Sequence, residues 1–145
     1  MATTFTQVVD GMSVTSKLST DVVKAEVLLD LTSAELSSAV SGDTIQCLKI
    51  PENAIVTKVG WYTILKDTTA TGTLGDGDTA DGWDAAVDFT TTGNNGFSTE
   101  GTDTFAPGKF YTSADTIDVV LGADNAGTGK VMIFAHYSVA ANDLA

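Results

Sequence analysis

The chain has 145 residues and a formal net charge of −12, with 19 acidic residues against seven basic ones. All seven basic residues are lysines, so the arginines that usually read phosphate and guanine are missing, and the sequence predicts neither a nucleic-acid partner nor an anionic membrane partner. The single cysteine, Cys47, excludes an intramolecular disulfide and a cysteine-based metal cluster, and a hydrophobic content of 43% predicts one domain with a sizeable core.

The first 20 residues are rich in threonine and serine, yet they carry too many apolar side chains for a free tail. They contain no basic region followed by an apolar run, so we expect no secretory signal and assembly in a cytoplasm. An extended arm that docks on a partner and an ordinary first strand both fit this composition. We adopt an arm over residues 1–20 and a β domain over residues 21–145. The arm residues expected to dock are Phe5, Val8, Val9, Met12 and Val14.

The rest of the chain alternates apolar and polar residues with a period of two, which is typical of half-buried strands. Five longer runs show this pattern, over residues 23–31, 55–65, 83–89, 117–121 and 131–139. Shorter strands rich in β-branched residues are predicted at Thr44–Ile50, Thr71–Leu74 and Thr104–Tyr111. Because turns rich in Gly, Asn, Asp and Pro separate these runs, the sequence predicts an all-β, antiparallel sandwich.

Within the second run, alternation predicts that Ile55, Val59, Trp61 and Leu65 face the core and that Tyr62 faces outward. The only helical signal is the capping-box pattern from Thr32 to Glu35, but few apolar residues follow it. A short helical turn and a polar loop both remain open there, and the loop is favoured.

The residues that usually carry catalysis are scarce. His136 is the only histidine and lies on a strand beside Met132 and Phe134, where a structural role is favoured over catalysis. Cys47 lies in the middle of a strand without a basic neighbour that would activate the thiol, so we expect a buried structural side chain. The sequence therefore predicts no enzyme and no cofactor.

An acidic segment without basic residues runs from Asp67 to Gly108. Within it Asp76, Asp78 and Asp81 resemble the start of a calcium-binding loop. The spacing is longer than the EF-hand pattern, and the closing glutamate is missing. Two interpretations stay open: a calcium site of another kind, built from these three carboxylates, and a solvated acidic loop that favours solubility.

A resemblance to a known group covers roughly residues 45–140. The segments that carry it are 50–60 (IPENAIVTKVG), 75–83 (GDGDTADGW), 107–119 (PGKFYTSADTIDV) and 129–137 (GKVMIFAHY). They resemble small β-sandwich structural proteins of tailed bacteriophages, including head decoration (cement) proteins. The resemblance implies a jelly-roll-like fold, commonly assembled as trimers on the outside of the capsid, and it implies no catalytic residue.

The function expected from this resemblance is decoration: binding to the outer surface of the major capsid protein lattice and stabilising the head of the virion. The alternative is a carbohydrate-binding or host-attachment module of a phage fibre or spike. That module would use the aromatic side chains Tyr62, Trp83 or Tyr111 together with loop carboxylates.

The strand over residues 131–139 is apolar on both faces, which is unusual because one face of an antiparallel sheet normally meets water. If Val131 and Ile133 fill the core, Met132 and Phe134 lie on the other face and need a cover. The cover is the arm, a helical turn near residues 32–40, or a neighbouring subunit. We adopt the neighbouring subunit, since exposed apolar patches tend to mark interfaces. Because the resemblance implies trimers, we expect a homotrimer with Met132 and Phe134 at the contact.

Overall fold

The computed structural model describes residues 2–9, 22–99 and 102–140, which form two packed β-sheets. The first sheet contains, from edge to edge, β1 (Thr4–Val9), β3 (Thr44–Ile50), β9 (Asp115–Leu121), β5 (Thr71–Gly75) and β6 (Asp84–Asp88). The second sheet contains β2 (Val23–Asp30), β10 (Lys130–Val139), β4 (Ala54–Leu65) and β7 (Asn95–Phe97), and β8 (Lys109–Tyr111) pairs with β4 as well.

Eight of these strands interleave as a jelly roll, with β2-β10-β4-β7 in one sheet and β3-β9-β5-β6 in the other. All pairs among them are antiparallel. Their inward faces enclose one apolar core, which contains Trp61 and Trp83. The predicted antiparallel sandwich is confirmed, and so is the assignment of Trp61 to its core.

A further strand, β1, lies in the part of the chain that the sequence assigned to the arm. It pairs in parallel with β3 at the edge of the first sheet. Phe5 is partly buried and packs against the core of its own chain. Val8 and Val9 belong to strand β1, whereas Met12 and Val14 lie outside the described residues.

Two irregularities in β4 correct the faces predicted from alternation. The pairing of β10 shifts by one residue opposite Thr57 and again opposite Ile64, so β4 carries two bulges. Each bulge reverses the alternation of side chains along the strand. Ile55 and Leu65 are therefore 40% and 46% exposed, although they were expected in the core, and Val56 is buried instead.

Two further expectations need correction. The loop favoured after Thr32 is wrong, because the segment contains one turn of 3-10 helix, Ala34–Leu36, which agrees with the helical turn left open there; its N-cap Ser33 makes no side-chain capping bond. The strand expected over Thr104–Tyr111 is formed only at Lys109–Tyr111, because turns occupy the residues before it.

A buried carboxylate, Asp67, ties two distant loops together. Its oxygens accept backbone hydrogen bonds from Thr69 (3.0 Å), Ala70 (2.9 Å), Ala126 (3.2 Å) and Thr128 (3.1 Å). Burial acts to raise the pKa of Asp67, but these four N–H donors outweigh it and hold the pKa below its usual value. The ends of β4 and β10 are thereby held in register.

The pKa of a second buried carboxylate, Asp118, is shifted in the opposite direction. It is 6% exposed and accepts a hydrogen bond of 2.6 Å from the Thr116 hydroxyl. Burial raises the pKa of Asp118 to about 6; the Thr116 bond opposes this shift, while the charges of Asp115 and Asp76 add to it. The folded protein therefore binds a proton at Asp118 more tightly than the unfolded chain does.

We expect Asp118→Asn to stabilise the protein at neutral pH. A carboxyl whose pKa is raised on folding costs stability where it is ionised, and the cost disappears as pH falls from about 6 towards the unfolded pKa of about 3.9. The stability of the variant relative to the wild type should therefore be greatest above pH 6 and vanish near pH 4. Urea unfolding of both chains across that pH range measures the difference in their free energy of unfolding. A difference that does not change with pH contradicts the raised pKa of Asp118.

Candidate interaction surface

The outer face of the second sheet carries a continuous group of apolar side chains. The register of the strands places Met132 between Leu28 on β2 and Tyr62 on β4, and Phe134 in the row beside it, level with Phe97 on β7. We call these five side chains the apolar patch. Leu28, Tyr62 and Phe97 are 43%, 47% and 51% exposed, so the patch is open to solvent along both sides of β10.

The outer face of the first sheet is polar by comparison. Its central rows are formed by the residues Thr44, Val120 and Thr73, and by Gln46, Asp118 and Gly75. Among these six residues, Val120 alone has a large apolar side chain. The asymmetry between the two outer faces makes the second sheet the candidate interaction surface.

Phe134 lies flat across the sheet because its neighbour on β4 is Gly60. A Cβ atom at Gly60 would lie 2.3 Å from Cζ of Phe134, so the ring occupies the space that any other side chain would take. The glycine thus allows an aromatic ring to cover the strand backbone, and the patch is flat in this region.

Next to the apolar patch the same face carries a row of basic residues. His136 of β10 lies between Lys24 of β2 and Lys58 of β4, and we call these three the basic row. The Lys58 ammonium lies 4.1 Å from the centre of the Phe97 ring, a cation–π distance. Burial, together with the charges of Lys58 and Lys24, lowers the pKa of His136, so the two lysines carry the positive charge at neutral pH.

Of the covers considered for Met132 and Phe134, the helical turn and the described part of the arm lie elsewhere. β1 extends the first sheet, and the 3-10 turn buries Leu36 in the core. Met132 and Phe134 are both half-buried. A contact with a neighbouring subunit stays a prediction.

The two residues considered for catalysis, Cys47 and His136, lie in surroundings that indicate structural roles. Cys47 is fully buried, and burial with the nearby charge of Asp118 raises the pKa of the thiol to about 12. Such a thiol stays protonated and unreactive at neutral pH. His136 belongs to the basic row and contacts the Phe134 ring at 5.6 Å between centroids.

Residues 76–82, which we call the acidic loop, are organised around Lys109. Its ammonium donates to Asp76 at 2.6 Å and to Asp78 at 2.9 Å, and the buried Asp76 carboxylate also accepts the Tyr111 hydroxyl at 2.7 Å. Burial acts to raise the pKa of Asp76, but these donors and two backbone N–H groups hold it below its usual value.

The three carboxylates expected to hold calcium do not come together. Asp115 of β9, rather than Asp81, brings a carboxylate close to Asp76 and Asp78. The Lys109 ammonium already bridges two members of this group, so part of its negative charge is compensated within the chain.

Two of the three aromatic residues considered for sugar stacking are buried. Trp83 has no exposed surface and donates from Nε1 to the Tyr111 hydroxyl at 3.1 Å, and Tyr111 is 3% exposed. Neither ring can stack on a sugar in this fold. Tyr62 is exposed, but it lies within the apolar patch.

Among the described residues, no helix has the length and apolar character that crossing a membrane requires. No protein-family model matches the chain, and no curated protein matches it significantly.

Solved structures do resemble it. A chain in the capsid of Ralstonia phage GP4 matches with a TM-score of 0.69 and 15% identity, covering 93% of this chain and 98% of that chain. A chain in the cyanophage Pam1 capsid asymmetric unit matches with a TM-score of 0.57 and 18% identity, covering 83% and 84%. A chain in the acidic stable capsid structure of Helicobacter pylori bacteriophage KHP30 matches with a TM-score of 0.54 and 13% identity, covering 80% and 86%. The three comparisons establish a shared fold.

Proposed function

We propose that this protein is a bacteriophage capsid decoration (cement) protein that binds the outside of the major capsid protein lattice and stabilises the head. The observation that carries the proposal is the match to a chain in the Ralstonia phage GP4 capsid, which covers 93% of this chain and 98% of that one. The two chains are thus alike over nearly their whole length, and both are small. Two further phage capsid structures contain the same fold.

The surfaces of the protein support a structural role in a particle. One outer face presents the apolar patch, whereas the chain as a whole carries a net charge of −12. A flat apolar face suits contact with another protein, and a strongly acidic remainder keeps particles that display many copies from aggregating. The buried polar groups Asp67, Asp76 and Tyr111 hold loops in place.

Lattice binding is assigned to the N-terminal segment, with Phe5, Val8, Val9, Met12 and Val14 as its apolar contacts. Phe5 already packs partly on its own core. Met12 and Val14 follow β1 in the chain. Replacing them should therefore weaken capsid binding without affecting folding. Many weak contacts per particle would act together through effective concentration.

Changing both Met12 and Val14 to serine is expected to abolish most binding to capsids assembled without this protein. Burying one apolar side chain is worth about 1.5–3 kcal/mol, so losing two weakens each contact by about 100-fold or more. Cosedimentation of the variant with such capsids measures the loss. Val22→Ser, at a position that is 70% exposed, is the matched control and should bind normally.

Equal binding of the Met12→Ser/Val14→Ser variant and the wild type would move the lattice contact to another surface. Thermal melts of the free chains check that both variants remain folded, because a lower melting temperature would itself reduce the amount of competent protein.

We also infer that the protein self-associates as a homotrimer, with Met132 and Phe134 at the contact between subunits. The support is the exposed apolar patch to which both residues belong.

A further inference from the structure

The face that carries the apolar patch also carries the basic row, and this combination indicates what kind of surface it binds. The chain has seven lysines and one histidine, and Lys24, Lys58 and His136 lie side by side here. Among the described residues, Glu26 lies 3.6 Å from Lys24 in an exposed pair that contributes little. A complementary surface is apolar in part and brings carboxylates to the basic row.

A second copy of the chain offers such carboxylates. The acidic loop exposes Asp78 and Asp81 to solvent, and its conformation is fixed from inside by Asp76. Asp76 accepts backbone hydrogen bonds from Asp78 (2.9 Å) and Thr79 (3.0 Å) and is itself held by Lys109. The loop is thus a preformed acidic projection, which loses little entropy on binding.

The acidic loop and the basic row lie at the same end of the sandwich. Lys109, which holds the loop, pairs in the sheet with Val56, and Val56 is two residues from Lys58 along β4. When copies are related by rotation about an axis parallel to the strands, each residue keeps the same height along that axis in every copy. In a ring built in this way, the acidic loop of one copy therefore lies level with the basic row of the next.

We propose that copies of this protein bind each other head to tail, with the acidic loop of one copy docked against the basic row and apolar patch of the next. The contact joins two different surfaces, so it closes into a ring when the rotation permits. Contacts that set two basic rows against each other are disfavoured by repulsion between the lysines. The inference rests on the self-association proposed above and names the surface that each subunit contributes.

Charge reversal tests the pairing directly. We expect Lys58→Glu and Asp81→Lys each to weaken self-association at least tenfold, because each places like charges opposite one another. The chain that carries both changes should assemble again, since every contact then regains an opposite pair. Lys66→Glu is the matched control, because Lys66 is exposed just beyond the other end of β4 and the variant has the same net charge as Lys58→Glu.

Sedimentation velocity on the full chain is the measurement, in salt near 0.15 M, where a Debye length of about 8 Å screens overall repulsion but spares direct contacts. A wild-type chain that stays monomeric to millimolar concentration overturns the proposal, and so does an oligomer that Lys58→Glu leaves intact. If Lys58→Glu dissociates the oligomer but Asp81→Lys does not restore it, the acidic loop is not the docked element.

Binding to capsids separates this inference from the proposed function. A monomer that still cosediments with capsids overturns the head-to-tail contact alone. An oligomer that shows the charge-reversal pattern but does not bind capsids supports the contact and contradicts decoration.

Discussion

Replacing Asp67 with alanine is expected to lower the free energy of unfolding by about 4 kcal/mol. The carboxylate is fully buried and accepts backbone N–H bonds from Thr69, Ala70, Ala126 and Thr128. Alanine leaves these donors without an acceptor, and each buried donor left unpaired costs about 1–3 kcal/mol, so the four together reach about 4 kcal/mol at the lower end of that range. Equilibrium unfolding in urea, followed by tryptophan fluorescence, measures the loss.

The matched control is Glu52→Ala, because Glu52 is exposed and lies outside the proposed contact surfaces. Its effect should stay within about 0.5 kcal/mol, as is usual for surface substitutions. Asp67→Asn tests the cause further, because the amide keeps one acceptor oxygen but places its own N–H₂ group against backbone donors. Its free energy of unfolding should lie between those of Asp67→Ala and Glu52→Ala. If Asp67→Ala is no worse than Glu52→Ala, the carboxylate does not hold the loops.

The Asp67 bonds also predict acid sensitivity. Because the folded pKa of Asp67 is held below its usual value, its stabilising contribution is present above the unfolded pKa of about 3.9 and is lost as pH falls through the folded pKa. This direction is opposite to that of Asp118, whose cost is relieved between pH 6 and 4.

Replacing Trp83 with alanine is expected to cost about 4 kcal/mol, in the range observed for large-to-small changes of buried aromatic residues. Its side chain has no exposed surface, meets the Phe105 ring edge-on at 5.3 Å between centroids and donates to the Tyr111 hydroxyl. The substitution removes these contacts and leaves a cavity next to the acidic loop. Thermal or urea unfolding checks the value.

The stability of Trp83→Ala also distinguishes the carbohydrate-binding alternative. If Trp83 were an exposed stacking platform, Trp83→Ala would leave stability unchanged and remove glycan binding alone. Phe110→Ala is the matched control, because Phe110 is an aromatic residue that is 48% exposed and lies outside the apolar patch, and we expect it to cost less than about 1 kcal/mol. Equal stability of the two variants would contradict the buried environment of Trp83.

Much of the fold is predictable from alternation of residue types, and the exceptions have physical reasons. The inward faces of β2 and β10 are predicted correctly because both strands pair without interruption over their central residues. The faces of β4 are predicted only in its middle, since the bulges near Thr57 and Ile64 arise from pairing with β10 and leave no signal in the strand itself. The same limit explains why Ile55 was placed in the core.

The interaction surface is predictable in part. The two-sided apolar character of residues 131–139 is enough to indicate Met132 and Phe134 from the sequence. The other members of the face come from strands far apart in the sequence: Lys24 and Lys58 meet beside His136 only because β2 and β4 both pair with β10. Sheet order is a long-range property, and it cannot be read from any one segment.

The buried carboxylates illustrate the same limit. Asp67 belongs to an acidic segment whose composition is typical of solvated charge, yet the loop that follows β9 supplies two of its four donors. In the acidic loop, Asp78 is exposed but its neighbour Asp76 is buried under Lys109 and Tyr111. Sequence alone does not distinguish a solvated aspartate from one that organises a loop.

The proposed decoration function requires the protein to lie on the outside of the capsid shell. Electron cryo-microscopy of the intact particle, with this jelly roll fitted to the density, tests that most directly. We expect many copies at regular lattice positions on the outer surface of the capsid shell, with the N-terminal segment reaching towards the shell. Copies confined to a tail fibre or spike, with none on the shell, would contradict the decoration function.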